Sequence, residues 1–175
     1  YMLNHETGKL MVKSEKMHNT LFASPLISWT WDSCPSLITF SVGRRVTIYD
    51  FLVEKKFVDL NTRSDAKVFR VAACPAPSSS IVAVHYDNMV VDIFDVRKPE
   101  LAVNTIDSAT VSCDWQPSSQ KLSLLNENGQ VQNFLFQSRM LEPLAGLPVD
   151  KDTTGVFWLD NDELVLTSSR ENGCD

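Results

Sequence analysis

The sequence contains few residues of the kinds that catalysis and metal binding require. Only three of its 175 residues are histidine and four are cysteine. The cysteines lie far apart, with no close pair and no histidine at ligand spacing, so zinc motifs are excluded and reduced thiols are favoured over a disulfide framework. These are Cys34, Cys74, Cys113 and Cys174. The sequence also lacks the glycine-rich phosphate loop, the dinucleotide fingerprint and the motifs of serine hydrolases and zinc proteases. We therefore predict no catalytic residue, no metal, no cofactor and no small-molecule ligand.

The sequence has no apolar run near the roughly 20 residues that span a bilayer, and no basic and apolar signal at its amino terminus. Its net charge of −6 gives it no general attraction for phosphate backbones or anionic membranes. With 43% hydrophobic and 22% charged residues, the composition is that of a folded domain. We expect an intracellular protein of the nucleus or cytoplasm. Because the chain begins with Tyr1 and not Met, we expect a portion of a longer protein.

What the sequence does contain is an internal repeat. Segments align on Trp31, Ala73, Trp115 and Trp158, which are separated by 42, 42 and 43 residues. A proline follows each of the first three anchors within four residues, and proline ends a strand because it lacks a backbone donor. The interval matches the roughly 40–45 residues of a four-stranded propeller blade.

Each repeat unit shows the same order of strand and turn signals after the proline. First comes a β-branched or aliphatic run, at residues 37–42, 81–85, 121–125 and 163–167. A tight polar turn follows, as Gly43-Arg44, Asp87-Asn88 or Asn128-Gly129. A further strand is predicted at 46–50, 90–95 and 131–136, and a more polar one at 54–60 and 101–106. No long window shows helical periodicity, so the predicted class is all-β.

These units resemble WD repeats, with Tyr49-Asp50 and Phe94-Asp95 in the place of the Trp-Asp pair of that family. The resemblance implies propeller blades of four antiparallel strands. It places the end of one blade at 1–22, complete blades at 23–62, 63–107 and 108–148, and the start of another at 149–175. The sequence departs from the family because no Gly-His pair opens a unit and the third unit ends Leu135-Phe136 without aspartate. The buried His–Asp network of the family is therefore not carried over.

Two architectures fit four blades' worth of strands, since propellers have about four to eight blades. The chain closes on itself, or it is an arc of a larger ring whose other blades lie elsewhere. We favour the arc. A β-sandwich is the alternative all-β fold, but sandwiches have turns every 8–12 residues without a longer period. Trp31, Trp115 and Trp158 are then expected to pack between blades, because they share one repeat position.

The resemblance and the lack of catalytic groups together predict a non-enzymatic scaffold that binds other proteins within an intracellular complex. Turn residues are the candidate contacts, since family members dock partners at the ends of their blades: Arg44, Arg45, Asp87, Asn88 and Arg97. His85 lies in an apolar run and is predicted to be a core residue with one hydrogen-bond partner. The acidic run from Asp160 to Glu163 is predicted to be a solvated turn and not a calcium loop.

Two other functions remain open on the sequence. A nucleic-acid-binding propeller requires seven cations to converge on one face: Arg44, Arg45, Lys55, Lys56, Arg63, Lys67 and Arg70. Such binding is otherwise expected only indirectly, through a partner. The stretch Phe94-Asp95-Val96-Arg97 resembles the Trp-Asp-x-Arg box of propellers that are substrate receptors of cullin-RING ubiquitin ligases.

Overall fold

A computed structural model describes residues 2–3, 10–12, 26–29, 37–50, 53, 55–76, 79–159 and 162–169, with side chains described from residue 37 onward. Every regular element in those ranges is a β-strand, which confirms the all-β prediction. Trp31, the first repeat anchor, lies outside the described residues. No helix long and apolar enough to cross a membrane is found in the part of the chain that the structure describes.

Twelve of the strands form three antiparallel sheets of four, each with its strands in chain order from one edge to the other. The first sheet comprises β3 (Leu26–Trp29), β4 (Leu37–Val42), β5 (Arg45–Asp50) and β6 (Lys55–Leu60). The second comprises β7 (Val68–Ala73), β8 (Ile81–Tyr86), β9 (Val91–Asp95) and β10 (Asn104–Ile106). The third comprises β11 (Thr110–Trp115), β12 (Lys121–Asn126), β13 (Gln130–Gln137) and β14 (Met140–Pro148).

Two smaller sheets stand at the two ends of the described chain. Strands β1 (Met2–Leu3) and β2 (Leu10–Val12) form one, and β15 (Thr153–Trp158) and β16 (Leu164–Ser168) form the other. Each has two strands where the middle sheets have four. This arrangement of whole and half sheets fits the predicted partial propeller.

The sheets stack through alternating side chains. In β8, Val82, Val84 and Tyr86 pack with the first sheet, whereas Ile81 and Ala83 pack with the third. All six residues of β8 are buried, so this strand has no solvent face. Period-two alternation sends successive side chains to opposite faces, and here both faces are core. The uninterrupted apolar run 81–84 is therefore what a strand between two other sheets requires.

The first strand of each sheet lies next to the first strand of the following sheet. Ser112 on β11 accepts a hydrogen bond from the amide of Val156 on β15, at 3.2 Å. Two residues further along, Asp114 accepts one from the amide of Trp158, at 2.9 Å. Arg70 on β7 forms an ion pair with Asp114 at 3.1 Å. Each of these pairs is 44 residues apart in sequence, so residues about one repeat apart meet between the first strands of successive sheets.

The strand register shows which residues are equivalent between the sheets. Ala73, Trp115 and Trp158 face Val82, Leu122 and Leu164 on the second strand of their sheets. In the first sheet the corresponding pair is Trp29 with Ile38. The backbone of Trp29, and not the anchor Trp31 chosen from the sequence, thus occupies this position. In the first unit the proline, Pro35, comes six residues after this position, whereas Pro75 and Pro117 come two residues after it, so an alignment on proline shifts the anchor.

The two described tryptophans of this position both reach the preceding sheet. The indole nitrogen of Trp115 donates to the carbonyl of Ala72 at 3.0 Å, and Trp115 is buried. The indole nitrogen of Trp158 donates to the hydroxyl of Ser123 at 3.1 Å, in a half-buried setting. In both cases the aromatic ring holds together two sheets, as expected for packing between blades.

Replacing Trp115 by phenylalanine should lower the free energy of unfolding by about 1–3 kcal/mol, because a buried carbonyl loses its indole donor. Urea unfolding followed by circular dichroism measures this loss. Trp158→Phe is the matched control and should cost less, since that indole is half exposed. Equal losses in the two variants would show that the burial of Trp115 does not explain its contribution to the free energy of unfolding.

Candidate functional site

The candidate contact residues lie at the two ends of the sheets. In these antiparallel sheets, the turn between the second and third strands lies at the same end as the connection leading to the next sheet. We call this the turn end; Arg44, Arg45, Asp87 and Asn88 lie there. Arg97 follows the third strand of its sheet and lies at the opposite end. The five residues predicted from the sequence therefore do not form one surface.

Arg44 and Arg45 lie in the hairpin between β4 and β5. Gly43 has a φ of 61°, a left-handed conformation that suits glycine in a tight turn. Its carbonyl accepts a hydrogen bond from the amide of Val68 at 2.7 Å, and the carbonyl of Arg44 accepts one from the hydroxyl of Thr62. Both acceptors tie the hairpin to the connection that enters the second sheet. Both arginine side chains are exposed.

A surface cleft of about 360 Å³ lies beside this hairpin. Arg44 and Arg45 line it together with Asp59 and with the connection from Asn61 to Ser64, which includes Arg63. Val46 and Leu60, which are buried, line it as well. The cleft is thus formed where the first sheet passes into the second.

Asp87 and Asn88 lie in the equivalent hairpin of the second sheet, and both are exposed. The carboxylate of Asp87 accepts a hydrogen bond from the amide of Lys67 at 2.9 Å, and its own amide donates to the carbonyl of Lys67 at 2.9 Å. The Asn88 side chain accepts a hydrogen bond from the amide of Val90 at 3.4 Å. These polar groups stabilise the turn itself. Fewer of their donors and acceptors are therefore available to a partner than their exposure suggests.

Arg97 at the opposite end is paired with Asp95. Its guanidinium donates to both oxygens of that carboxylate, each at 2.9 Å, and the hydroxyl of Ser80 donates to the same group at 2.7 Å. The Asp95 side chain is buried, whereas that of Arg97 is 64% exposed. The Arg97 guanidinium is the main reason that the pKa of Asp95 is lowered to about 2. Arg97 therefore serves mainly to pair with the buried carboxylate of Asp95, and less of its guanidinium is available to a partner.

The aromatic–acid pairs of the repeat lie at the ends of the third strands. Tyr49 faces Ile38 and Phe94 faces Val82 across their sheets, so they occupy equivalent positions. In the third sheet the equivalent of Tyr49-Asp50 is Phe134-Leu135, because Phe134 faces Leu122. The sequence alone placed the equivalent pair at Leu135-Phe136, which is one residue too late.

The seven cations that a nucleic-acid-binding propeller would require do not all lie at one end of the sheets, and three of them form ion pairs with aspartates. Lys55 and Lys56 face Asp50 and Tyr49, at the end of the first sheet opposite to Arg45. Three cations are bound to aspartates: Lys56 to Asp59 at 2.7 Å, Arg63 to Asp92 at 2.8 Å and Arg70 to Asp114 at 3.1 Å. A phosphate backbone would have to compete with these ion pairs or engage cations at opposite ends of a sheet.

His85 and the two described cysteines are buried inside the sheets. His85 is buried as predicted, its Nε2 hydrogen-bonded to the carbonyl of Thr110 at 2.8 Å, and burial lowers its pKa. Cys74 and Cys113 are buried free thiols, and burial raises the pKa of Cys113 to about 12. A neutral thiol at physiological pH is a poor nucleophile. No cluster of His, Cys, Asp and Glu able to hold a metal occurs among the described residues.

Sequence reasoning missed two carboxylates, the buried Asp92 and the partly buried Asp114. Asp92 on β9 accepts hydrogen bonds from Arg63 at 2.8 and 3.1 Å and from the Thr105 hydroxyl at 2.6 Å. Asp114 on β11 is shared between Arg70 and the amide of Trp158, and burial raises its pKa. Each is flanked by apolar residues in its strand, Asp92 by Val91 and Ile93 and Asp114 by Cys113 and Trp115, which is the signal that the sequence offers for them.

No family model matches the sequence, and no curated protein matches it. Several solved structures have the same fold. A chain of the Mitotic Checkpoint Complex crystal structure matches with a TM-score of 0.61 and 18% identity, over 82% of this chain and 47% of that one. Hsv2 from Kluyvelomyces marxianus matches with a TM-score of 0.60 and 16% identity, over 76% and 40%. The N-terminal domain of Nup159 matches with 0.54 and 10%, over 75% and 35%.

These neighbours are WD-repeat β-propellers, so the fold of this chain is that of propeller blades. The chain spans less than half the length of each of the three. At such low identities the similarity concerns the fold.

Replacing Arg97 by glutamine should raise the pKa of Asp95 towards its ordinary value of 3.8, because the largest cause of its lowering is removed. A carboxylate with a lowered pKa stabilises the folded state fully above 3.8, and this stability is lost as the pH falls towards about 2. The variant should therefore unfold more easily at neutral pH and lose less stability between neutral and acidic pH. NMR titration of the carboxyl carbon and urea unfolding measure both effects.

Lys98→Gln is the matched control, since it removes an equal charge from the adjacent residue without a contact to the carboxylate of Asp95. A similar rise in the pKa of Asp95 in both variants would contradict a specific ion pair and indicate a general charge effect.

Proposed function

We propose that this chain is a non-enzymatic protein-interaction module, a part of a WD-repeat propeller subunit in a multi-protein intracellular complex. The observation that supports this most is the exposure of large apolar side chains at the periphery. Phe57 on β6 is 52% exposed, and Met140 and Leu147 on β14 are 61% and 53% exposed. Both strands are the outermost of their sheets. Apolar groups of this size on outer strands are suited to contacts with protein and not with a phosphate backbone.

The half sheet of β15 and β16 supports the same proposal. Its Leu166 is 42% exposed and Phe157 is 38% exposed, and the described residues supply it with two strands only. A four-stranded sheet at this place requires two further strands. We infer that the chain is an arc of a larger ring, which also agrees with its spanning less than half of each propeller neighbour.

The buried groups support the absence of enzymatic activity within this proposal. The described histidine and both described thiols are inside the sheets, and the described arginines other than Arg44 and Arg45 are each close to an aspartate. Catalysis requires a reactive group within reach of a substrate. Among the described residues, the histidine and the two thiols are buried between strands and are not exposed to a substrate.

Isolation of the tagged parent protein at its natural abundance tests the proposal. We expect it to retain at least one other protein in stoichiometric amount, and to do so after nuclease treatment. Light scattering coupled to size-exclusion chromatography then gives the mass of the assembly.

A parent protein that is monodisperse and free of partners would contradict the scaffold role. Loss of all partners after nuclease treatment would instead favour the nucleic-acid-binding propeller.

A further inference from the structure

The turn end of the first sheet carries two cations that the rest of the described chain does not neutralise. Arg63, Arg70 and Arg97 each form an ion pair with an aspartate at 2.8–3.1 Å, and Arg139 lies 3.8 Å from Asp95. Arg44 and Arg45 form no ion pair with any residue that the structure describes. In a chain of net charge −6, two adjacent arginines without an ion pair give this hairpin a local positive charge.

The acid that lines the same cleft, Asp59, already has two hydrogen-bond donors. Its carboxylate accepts hydrogen bonds from the Lys56 ammonium and the Thr47 hydroxyl, both at 2.7 Å. These two contacts are the main reasons that its pKa is lowered, and the charge of Arg45 contributes least. The two guanidinium groups therefore keep their hydrogen-bond donors for a group outside the described residues.

The backbone beneath the two arginines is held in place. The carbonyls of Gly43 and Arg44 both accept hydrogen bonds from the connection that enters the second sheet. A hairpin fixed in this way loses little backbone freedom on binding, so less of the interaction energy is spent on ordering it. The cleft of about 360 Å³ beside it is large enough for one or two side chains of a partner.

The chemistry of the guanidinium group identifies the kind of ligand. Its planar fork pairs bidentately with a carboxylate or a phosphate. A nucleic-acid backbone presents a row of phosphates, and it would meet the exposed Asp65 and Asp87 near the same end of the sheets. A short acidic stretch of protein can place one or two carboxylates on the arginines without approaching those acids.

We propose that the Arg44–Arg45 hairpin and its cleft bind an acidic segment of a partner protein through aspartate or glutamate carboxylates. This inference rests on the proposed function, because it assumes a protein partner, and it adds the site and the chemistry of recognition.

Fluorescence anisotropy with a labelled glutamate-rich peptide tests the site directly. Arg44→Gln and Arg45→Gln should each weaken binding by roughly tenfold or more, as expected for a lost charge-assisted hydrogen bond. Arg44→Lys should have an intermediate effect, because it keeps the charge and loses the fork. Lys98→Gln is the matched control, with the same change of charge at the opposite end of a sheet, and should leave binding unchanged. Thermal unfolding verifies that each variant is folded.

Three results would overturn the inference. The first is equal affinity for a peptide with glutamine in place of glutamate. The second is an equal loss with Lys98→Gln. The third is tighter binding of a single-stranded oligouridylate than of the peptide with the same charge, which would assign the site to nucleic acid.

Isolation of the tagged parent protein distinguishes a failure of this site from a failure of the proposed function. Arg44→Gln should reduce recovery of the partner. If the unaltered protein retains a partner and the variant retains it equally, the site is wrong and the interaction module stands. If the unaltered protein retains none, the proposed function itself fails.

Discussion

The structure depends on the contact between the first strands of successive sheets. Each of these strands belongs to a sheet that has little core of its own, and burial occurs only where one sheet covers the next. Residues 44 apart meet at this contact, as Ser112 does with Val156 and Asp114 does with Trp158. This interval is within two residues of the repeat period of 42–43, so the first strand of each unit returns to the side of the first strand before it. The tight turns, the buried second strands and the exposed outer strands all follow from this requirement.

This constraint also determines where function can lie. Buried positions are taken by side chains that hold neighbouring sheets together, and the buried carboxylates are paired locally, as Asp92 is with Arg63 and Asp95 with Arg97. What remains accessible is the outer strand of each sheet and the connections at the two ends. A surface made of turns on a rigid stack is suited to recognising a partner by shape and charge.

The sequence predicted the fold well because its strongest signals are local. The alternating apolar runs and polar turns locate strands such as β4, β8 and β12 within a residue or so, and the period identifies the stacking of sheets. Register was harder, because it depends on pairing between strands: Trp29 and not Trp31 faces Ile38, a shift that the alignment on tryptophan and proline could not detect. The site was predicted only in part. Exposure of Arg44 follows from its turn, whereas the engagement of Arg97 by Asp95 depends on a folded-back side chain.

The stacking of inner strands can be measured most directly through the amide of Trp158, whose hydrogen bond to Asp114 joins two sheets. In hydrogen exchange followed by NMR, Asp114→Ala should accelerate exchange of this amide by at least about tenfold, the effect of losing roughly 1.4 kcal/mol of protection. Exchange at Leu124, within the third sheet, should change much less. Equal acceleration at both amides, or none at Trp158, would contradict the account, because the sheets would then not be joined at this step of the repeat.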